Sequence, residues 1–429
     1  MLPRMAPRKS PPLSEIVRDP RLALMLALGF SSGLPFLLIF STQSAWLAEA
    51  KISNAAIGLM SYAALAFSFK FAWAPIIDKV DPPLLAGWLG RRRGWMLIAQ
   101  FGVAAGLIGL SFGDPARGLA WNLSFAFLTA FAAATQDVSI DGWRIDAAPA
   151  EKQGMMAAVY QLGYRLAMLC AGAGALYIAQ FASWKAAYVS MACLTLVGMA
   201  GCLLSPRLDA APKAETTVRN FATSFVEPLS DLFRRYGWTI AVILALVSIY
   251  RLPDFVSGVM ANPLYIKLGF SKADIATVSK LYGVWIGMAG AFAGGFSVAR
   301  LGLIPSLLIG GAAAAASHLS LAWLAVQGPQ LHWLAVAVSV ENFAGSFAGA
   351  ALIAYMSSLV SPAYAATQYA LLSSLYALPG KLVGGLSGFA VDAIGFPRFF
   401  ASTAMIGIPV VILTLIVWRL TARREREAG

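Results

Sequence analysis

Twelve long apolar stretches follow one another along this chain, each bounded by proline, glycine or a cluster of charge. They fall at about 22–47, 55–77, 94–112, 120–142, 154–180, 185–204, 237–261, 275–298, 303–325, 332–357, 367–391 and 399–419. Each approaches the roughly 20 residues a helix needs to cross the hydrocarbon core of a bilayer. One long polar stretch, from Ser205 to about Tyr236, interrupts the series after the sixth. The pattern predicts an all-α polytopic membrane protein in two six-helix bundles, residues 1–204 and 237–429, joined by a central loop over 205–236.

Composition strengthens that reading. Of 429 residues, 12% are charged and 59% hydrophobic, with a mean hydropathy of +0.72. A soluble domain carries about a quarter charged residues, so no water-facing surface can be built from this supply. The basic N-terminus runs into an apolar stretch longer than the roughly 7–15 residues of a cleavable signal, so the first stretch reads as a retained spanning helix. Cys170, Cys193 and Cys202 lie inside apolar stretches and read as small core residues.

Charge then orients the chain. Lys and Arg number 21 on the side that would hold both termini and the central loop, and 7 on the other, where Lys51, Lys272 and Lys280 are counted; four fall within helices. The positive-inside rule places both termini on the cytoplasmic side. The net charge of +12 is then topology and attraction to anionic lipid, not a nucleic-acid footprint.

The halves also echo one another. Leu34-Pro35 matches Leu252-Pro253 at an offset of 218, which also aligns Ile52-Ser53 with Phe270-Ser271 and Ile57 with Ile275. A weaker echo joins YQLGYRLAMLCAG in the fifth helix to YALPGKLVGGLSG in the eleventh. Parallel repeats around a central loop are the layout of a major facilitator.

Ionisable residues inside such helices cost several kcal/mol when exposed to lipid, so they belong at a bundle interior or a watery cavity. Arg251 and Asp254 flank Pro253 on one face of helix seven, where the proline breaks the ladder of a spanning helix. Glu341 stands near the middle of helix ten beside Asn342, with no base in its own helix; a desolvated carboxylate of this kind suits proton uptake and release. Asp137, Asp141 and Arg144 share one face of helix four with Gln136 alongside, a substrate contact, a gate or a plain helix-end cluster. Arg165 and Lys381 hold corresponding places in helices five and eleven and, with Arg251, make a positive cavity suited to an anion. Lys70 is expected to snorkel to the nearer interface, and His318 and His332 to serve packing. No nucleophile elbow, phosphate loop or metal-ligand spacing is present in the sequence. No enzyme activity, cofactor or metal is expected.

Seven strings together carry a family resemblance: GFSSGLPF (29–36), FKFAWAPIID (69–78), GRRRGW (90–95), TQDVSIDGWRID (135–146), LGYRLAML (162–169), ENFAGSFAGAAL (341–352) and ATQYALLSSLYA (366–377). The chain resembles the muropeptide permeases of the AmpG type within the major facilitator superfamily. The resemblance implies proton-driven import of anhydromuropeptides, released by cell-wall turnover, for peptidoglycan recycling and, indirectly, β-lactamase induction. It maps the family's functional region onto Gln136, Asp137 and Asp141 and its helix-five arginine onto Arg165. Asp78 with Arg91, Arg92 and Arg93 is similar to the superfamily's gating motif, to which Arg144 adds. Some relatives continue to about fourteen helices, and the shorter chain implies that the extra pair is not needed for transport.

A muropeptide carries carboxylates, which Arg165, Arg251 and Lys381 would compensate. Its sugars suit aromatic faces and amides, for which Trp143, Tyr164, Tyr250, Asn342 and Gln368 are candidates. Asp254 and Glu341 are the candidate proton carriers, and the protein is expected to act as a monomer. Two other readings stand beside this one: a facilitator for another anion such as acetyl-CoA, and a membrane enzyme or assembly factor for lipid-linked cell-wall precursors.

Overall fold

A computed structural model describes residues 19–147, 150–208, 218–361 and 365–428, which are helical with no strand. Ten segments are long and apolar enough to cross a membrane. Two pieces complete the expected twelve: Asn54–Phe69, and Ala365–Gly384, which continues through 387–394. Large side chains such as Phe127, Trp285 and Phe292 are more than half exposed, which suits a surface facing lipid rather than water.

Helix 1 comprises Pro20–Leu38 and Ser41–Glu49, and helix 2 runs from Asn54–Met60 to Ala74–Lys79 through 3-10 turns at Ser61–Leu65 and Lys70–Ala72. Helix 3 is Ala86–Ser111, helix 4 Leu119–Ala147, and helix 6 Trp184–Leu204. Helix 5 joins Ala150–Leu169 to Ala175–Phe181 through a π-helical segment, Cys170–Gly174. Helix 7 comprises Thr239–Ile249 and Leu252–Leu268; helix 8 opens with Lys272–Asp274 and a π-helical segment, Ile275–Tyr282, before Gly283–Leu301. Helices 9 and 10 are Leu303–Leu324 and Leu331–Leu359. Helices 11 and 12 meet at Gly395, whose φ of 76° turns the chain with no further loop, in a region that favours glycine. Helix 12 then ends in Gly407–Ala428.

Local chemistry sets the starts. Asp19 accepts from the backbone of Arg21 with Pro20 behind it, Ser53 caps helix 2, and Ser271 with Asp274 forms a capping box on helix 8. The central stretch departs from the expected loop. Val218–Tyr236 is a connecting helix, because Leu229, Leu232, Phe233 and Tyr236 recur at i, i+3, i+4 and i+7. The paired prolines break their helices differently. Pro35 sits inside helix 1 ahead of a break at Ile39–Phe40, whereas Pro253 opens the second part of helix 7 just after its break.

Within the first half, helix 1 packs on helices 5 and 6, and helix 3 on helices 4 and 6. In the second, helix 10 packs on helices 8 and 9, and helix 7 on helix 11. Between the halves, Ser41–Glu49 meets Leu252–Leu268, the start of helix 2 meets helix 11, and the two π-helical segments of helices 5 and 8 face each other. These contacts all gather toward the end opposite the termini. The halves are joined at that end.

Candidate functional site

The inner wall of the first half is built on close helix packing. A Cβ on Gly29 would lie 2.1 Å from the carbonyl oxygen of Tyr160, and one on Gly163 equally close to that of Leu26. Helices 1 and 5 therefore touch backbone to backbone, which brings Ser31 and Ser32 against helix 4. Ser31 donates to Gln136 Oε1 at 3.0 Å. Tyr160 donates to Ser32 Oγ at 2.6 Å, and Ser32 in turn donates to Asp137. The second carboxylate oxygen of Asp137 lies 4.0 Å from Lys70 Nζ. Lys70 does not snorkel away: the 3-10 turn that begins with it aims the ammonium across at helix 4.

Toward the termini the chemistry changes. Asp141 pairs with Arg144 at 3.5 Å, and Arg92 reaches Asp146 at 3.1 Å over the close approach of helix 3 to Gly142. Arg93 donates to the carbonyl of Leu203. Arg92 and Arg93 thus tie helix 3 to helices 4 and 6 within one half. Arg91 is partly buried beside them, and the side chain of Asp78 lies outside the described residues.

The second half holds the denser cluster. Arg251 sits at the break of helix 7, donates to the carbonyl of Gly345 in helix 10, and forms a 3.0 Å ion pair with Asp254. Gly345 and Gly349 leave the space: a Cβ on Gly349 would lie 3.0 Å from the guanidinium. His318 packs in the core and does more than pack. It is fully buried, yet its Nε2 lies 3.5 Å from Asp254 and 3.2 Å from Ser257 Oγ. Glu341 is partly buried, contacts Asn342 at 3.4 Å, and feels the charges of His318, Asp254, Lys280 and Arg251.

Several expected contacts lie elsewhere. Trp143 and Tyr250 are buried, their polar atoms donating to the carbonyls of Pro206 and Leu307, so neither offers a face to a sugar. Gln368 is buried where helix 11 begins, bonded to Asp231, Arg235 and the backbone of Ser361. It anchors the connecting helix, away from the charged cluster. Tyr164 remains partly exposed. Arg165 is exposed and lies two turns before Gly172, on roughly the face of helix 5 that meets Lys280 of helix 8.

Two lysines, Lys381 and Lys280, reach across from the second half to the first. Lys381 crosses from helix 11 to Ser68 Oγ of helix 2 at 2.9 Å, and carries a charge that Lys70 feels. Lys280, assigned by charge counting to the far side, lies inside the interface and donates to Ser41 Oγ at 2.8 Å. Its position eight residues beyond Lys272, more than two helical turns deep, was the available signal. For His318 it was an imidazole placed alone among alanines and serines.

The closed end is sealed by polar contacts. Lys272 pairs with Glu49 at 2.6 Å, and Trp184 also donates to Glu49. Asp392 takes the side chain of Asn54 at 2.7 Å and the backbone of Ala55 at 3.0 Å, and so caps helix 2 from across the interface. No group of metal-ligating side chains occurs among the described residues.

Two bundles of membrane-length helices, joined at one end and carrying charge in their interiors, fit a membrane transporter. The chain belongs to the Major Facilitator Superfamily, whose profile matches residues 22–384, and within it to the AmpG-type permeases. It is 33% identical over 410 residues to the putative transporter AmpG 4 of Rickettsia conorii, covering 94% of this chain and 98% of that one. It is 35% identical over 405 residues to the anhydromuropeptide permease of Escherichia coli K12, covering 94% and 80%. Among solved structures, a bacterial homologue of the lysosomal transporter Spinster matches with a TM-score of 0.69 at 15% identity, covering 96% and 98%. A D-xylose–proton symporter matches at 0.66 and 16%, covering 93% and 96%. These two likenesses concern the fold. The protein is a transporter rather than an enzyme, with a multi-pass membrane location.

Proposed function

We propose that this protein imports anhydromuropeptides across the bacterial inner membrane by proton symport, with both termini in the cytoplasm. The observation that carries the reading is the pairing of two kinds of group around one cleft. Lys70, Arg251, Lys381 and the exposed Arg165 supply cations for the carboxylates of a peptide stem. Glu341 and Asp254 supply carboxylates beside His318 that can exchange protons as the cleft changes sides. The relative in E. coli with 35% identity bears the name of this cargo. On the first half, Asp137, held by Ser32 and Lys70, is the polar group offered to the sugar, while Gln136 is fully buried behind it and serves to position Ser31. The excess of Lys and Arg on the side of the termini supports their cytoplasmic placement.

Uptake of labelled anhydromuropeptide into proteoliposomes under an inward proton gradient tests this. Accumulation is expected to collapse with a protonophore and with Glu341→Gln. Competition by acetyl-CoA, with none by anhydromuropeptide, would reassign the cargo.

A further inference from the structure

Lys280 has no part in the cargo site, yet it is built into the most irregular place in the fold. It lies in the π-helical segment Ile275–Tyr282, which faces the π-helical segment Cys170–Gly174 of the other half. Such segments are rare and concentrate at functional sites. Gly172 leaves room for the lysine: a Cβ there would lie 3.5 Å from its Cγ and Cδ.

Its ammonium has two competing attractions. One is Ser41 of the first half, whose Oγ accepts from Lys280 at 2.8 Å. Ser41 begins the second part of helix 1, and its carbonyl and hydroxyl also take Asn262 of helix 7, at 2.5 and 2.9 Å. The other attraction is Glu341 on helix 10, within electrostatic reach. Helices 8 and 10 pack tightly here, a Cβ on Gly283 meeting the Asn342 amide at 3.2 Å.

We propose that Lys280 is the positioning residue that couples the charge of Glu341 to the closed end of the transporter. With Glu341 neutral, the ammonium bonds Ser41 and helps hold helix 1 against helices 7 and 8. With Glu341 ionised, the carboxylate draws Lys280 back toward its own half, Ser41 keeps only Asn262, and the closed end is released. An importer needs that order: a protonated carrier stays closed outside while it unloads, and proton loss resets it outward. The other groups around the pair stay within the second half. They are Arg251, Asp254 and Tyr265 from helix 7, His318 from helix 9, and Tyr282, which bonds Ser339, on helix 8. Helix 5 presents Tyr177 to Thr277, and its charge on that face is Arg165, two turns before Gly172.

The inference rests on Glu341 as the proton site, and its test separates the two. Spin labels on Ala116→Cys and Gln330→Cys, in full-length protein lacking Cys170, Cys193 and Cys202, report the width of the closed end in liposomes. Raising pH is expected to shift the distance distribution of the parent toward the longer population. Glu341→Gln should hold it short at every pH. Lys280→Gln should abolish the pH response, leaving one distribution across the range, and the variant should lose at least ten-fold in gradient-driven accumulation while retaining cargo counterflow. A lysine that merely fills space would shift the distribution and leave its pH response intact, and that result overturns the proposal. If Lys280→Gln does not fold, Ser41→Ala carries the test, since it keeps both charges and deletes the acceptor. A distribution unchanged by Ser41→Ala overturns it as well. If Glu341→Gln responds to pH as the parent does, the proton-site reading falls instead.

Discussion

Arg251 and Asp254 are bound to each other at 3.0 Å across the break of helix 7, and the arginine also grips the carbonyl of Gly345 in helix 10. The pair closes one turn of helix and one helix–helix contact together. Removing either partner strands the other inside the bilayer. Asp254→Asn is therefore expected to destabilise the protein by about 3 kcal/mol, read as a fall in the unfolding midpoint in detergent. The double variant Arg251→Met with Asp254→Asn should recover part of that loss, and no recovery would show that the two act apart.

Lys70 stands 4.0 Å from Asp137, with 37% of its side chain exposed. A cation in that place serves an anionic cargo better than it serves the fold. Lys70→Met should raise the KM for anhydromuropeptide about ten-fold, or ~1.4 kcal/mol, with a smaller change in kcat. A fall in kcat at constant KM would place Lys70 in the conformational cycle instead.

Two glycines separate stability from cycling. A Cβ on Gly388 would sit 1.7 Å from the carbonyl oxygen of Asn54, across the seam between the halves. Gly29 meets Tyr160 inside one half. Gly29→Ala should cost roughly 1–3 kcal/mol and lower the unfolding midpoint. Gly388→Ala should leave the midpoint near the parent's while transport fails, because only the closed end is obstructed. Equal midpoint losses would contradict this division.

Asp231 anchors the connecting helix outside the membrane. The hydrogen bond from Gln368 chiefly holds its carboxyl below the usual range, and Arg235 adds to that. A depressed carboxylate favours the docked state fully above its unfolded value of about 3.9, and the contribution is lost as pH falls through the folded value. Hydrogen exchange over residues 229–236 should stay slow from neutral pH down to about 4 and quicken below it. Asp231→Asn should flatten that dependence.

The spans were legible because hydropathy fixes length, and length fixes crossing. Hydropathy leaves a gap at 391–399 between helices 11 and 12, where one glycine at positive φ does the turning. The connecting helix was hidden in a polar stretch whose apolar residues are spaced for a helix. Arg251, Asp254 and Glu341 stood out because charge is rare inside a span. Their neighbours did not. Lys280 was counted with an interface because the sequence does not report the π-helical segment beneath it, and His318 lacked a visible partner because Asp254 is 64 positions away in the chain. Trp143, Tyr250 and Gln368 have the chemistry a sugar wants, but helix rotation turned them into the packing.

Lys381 and Ser68 form a bridge between the halves away from the sealed end. Ser68 stands fourteen residues along helix 2 from Asn54, about 20 Å. A lever pivots where its arms move least, and if the halves rock, a bond so placed would act as a fulcrum. Changes at a fulcrum alter friction in both directions alike, so they slow exchange between the two faces without favouring either. Changes at the sealed end, among Glu49, Lys272 and Asp392, weigh on one arm. They tilt the balance itself.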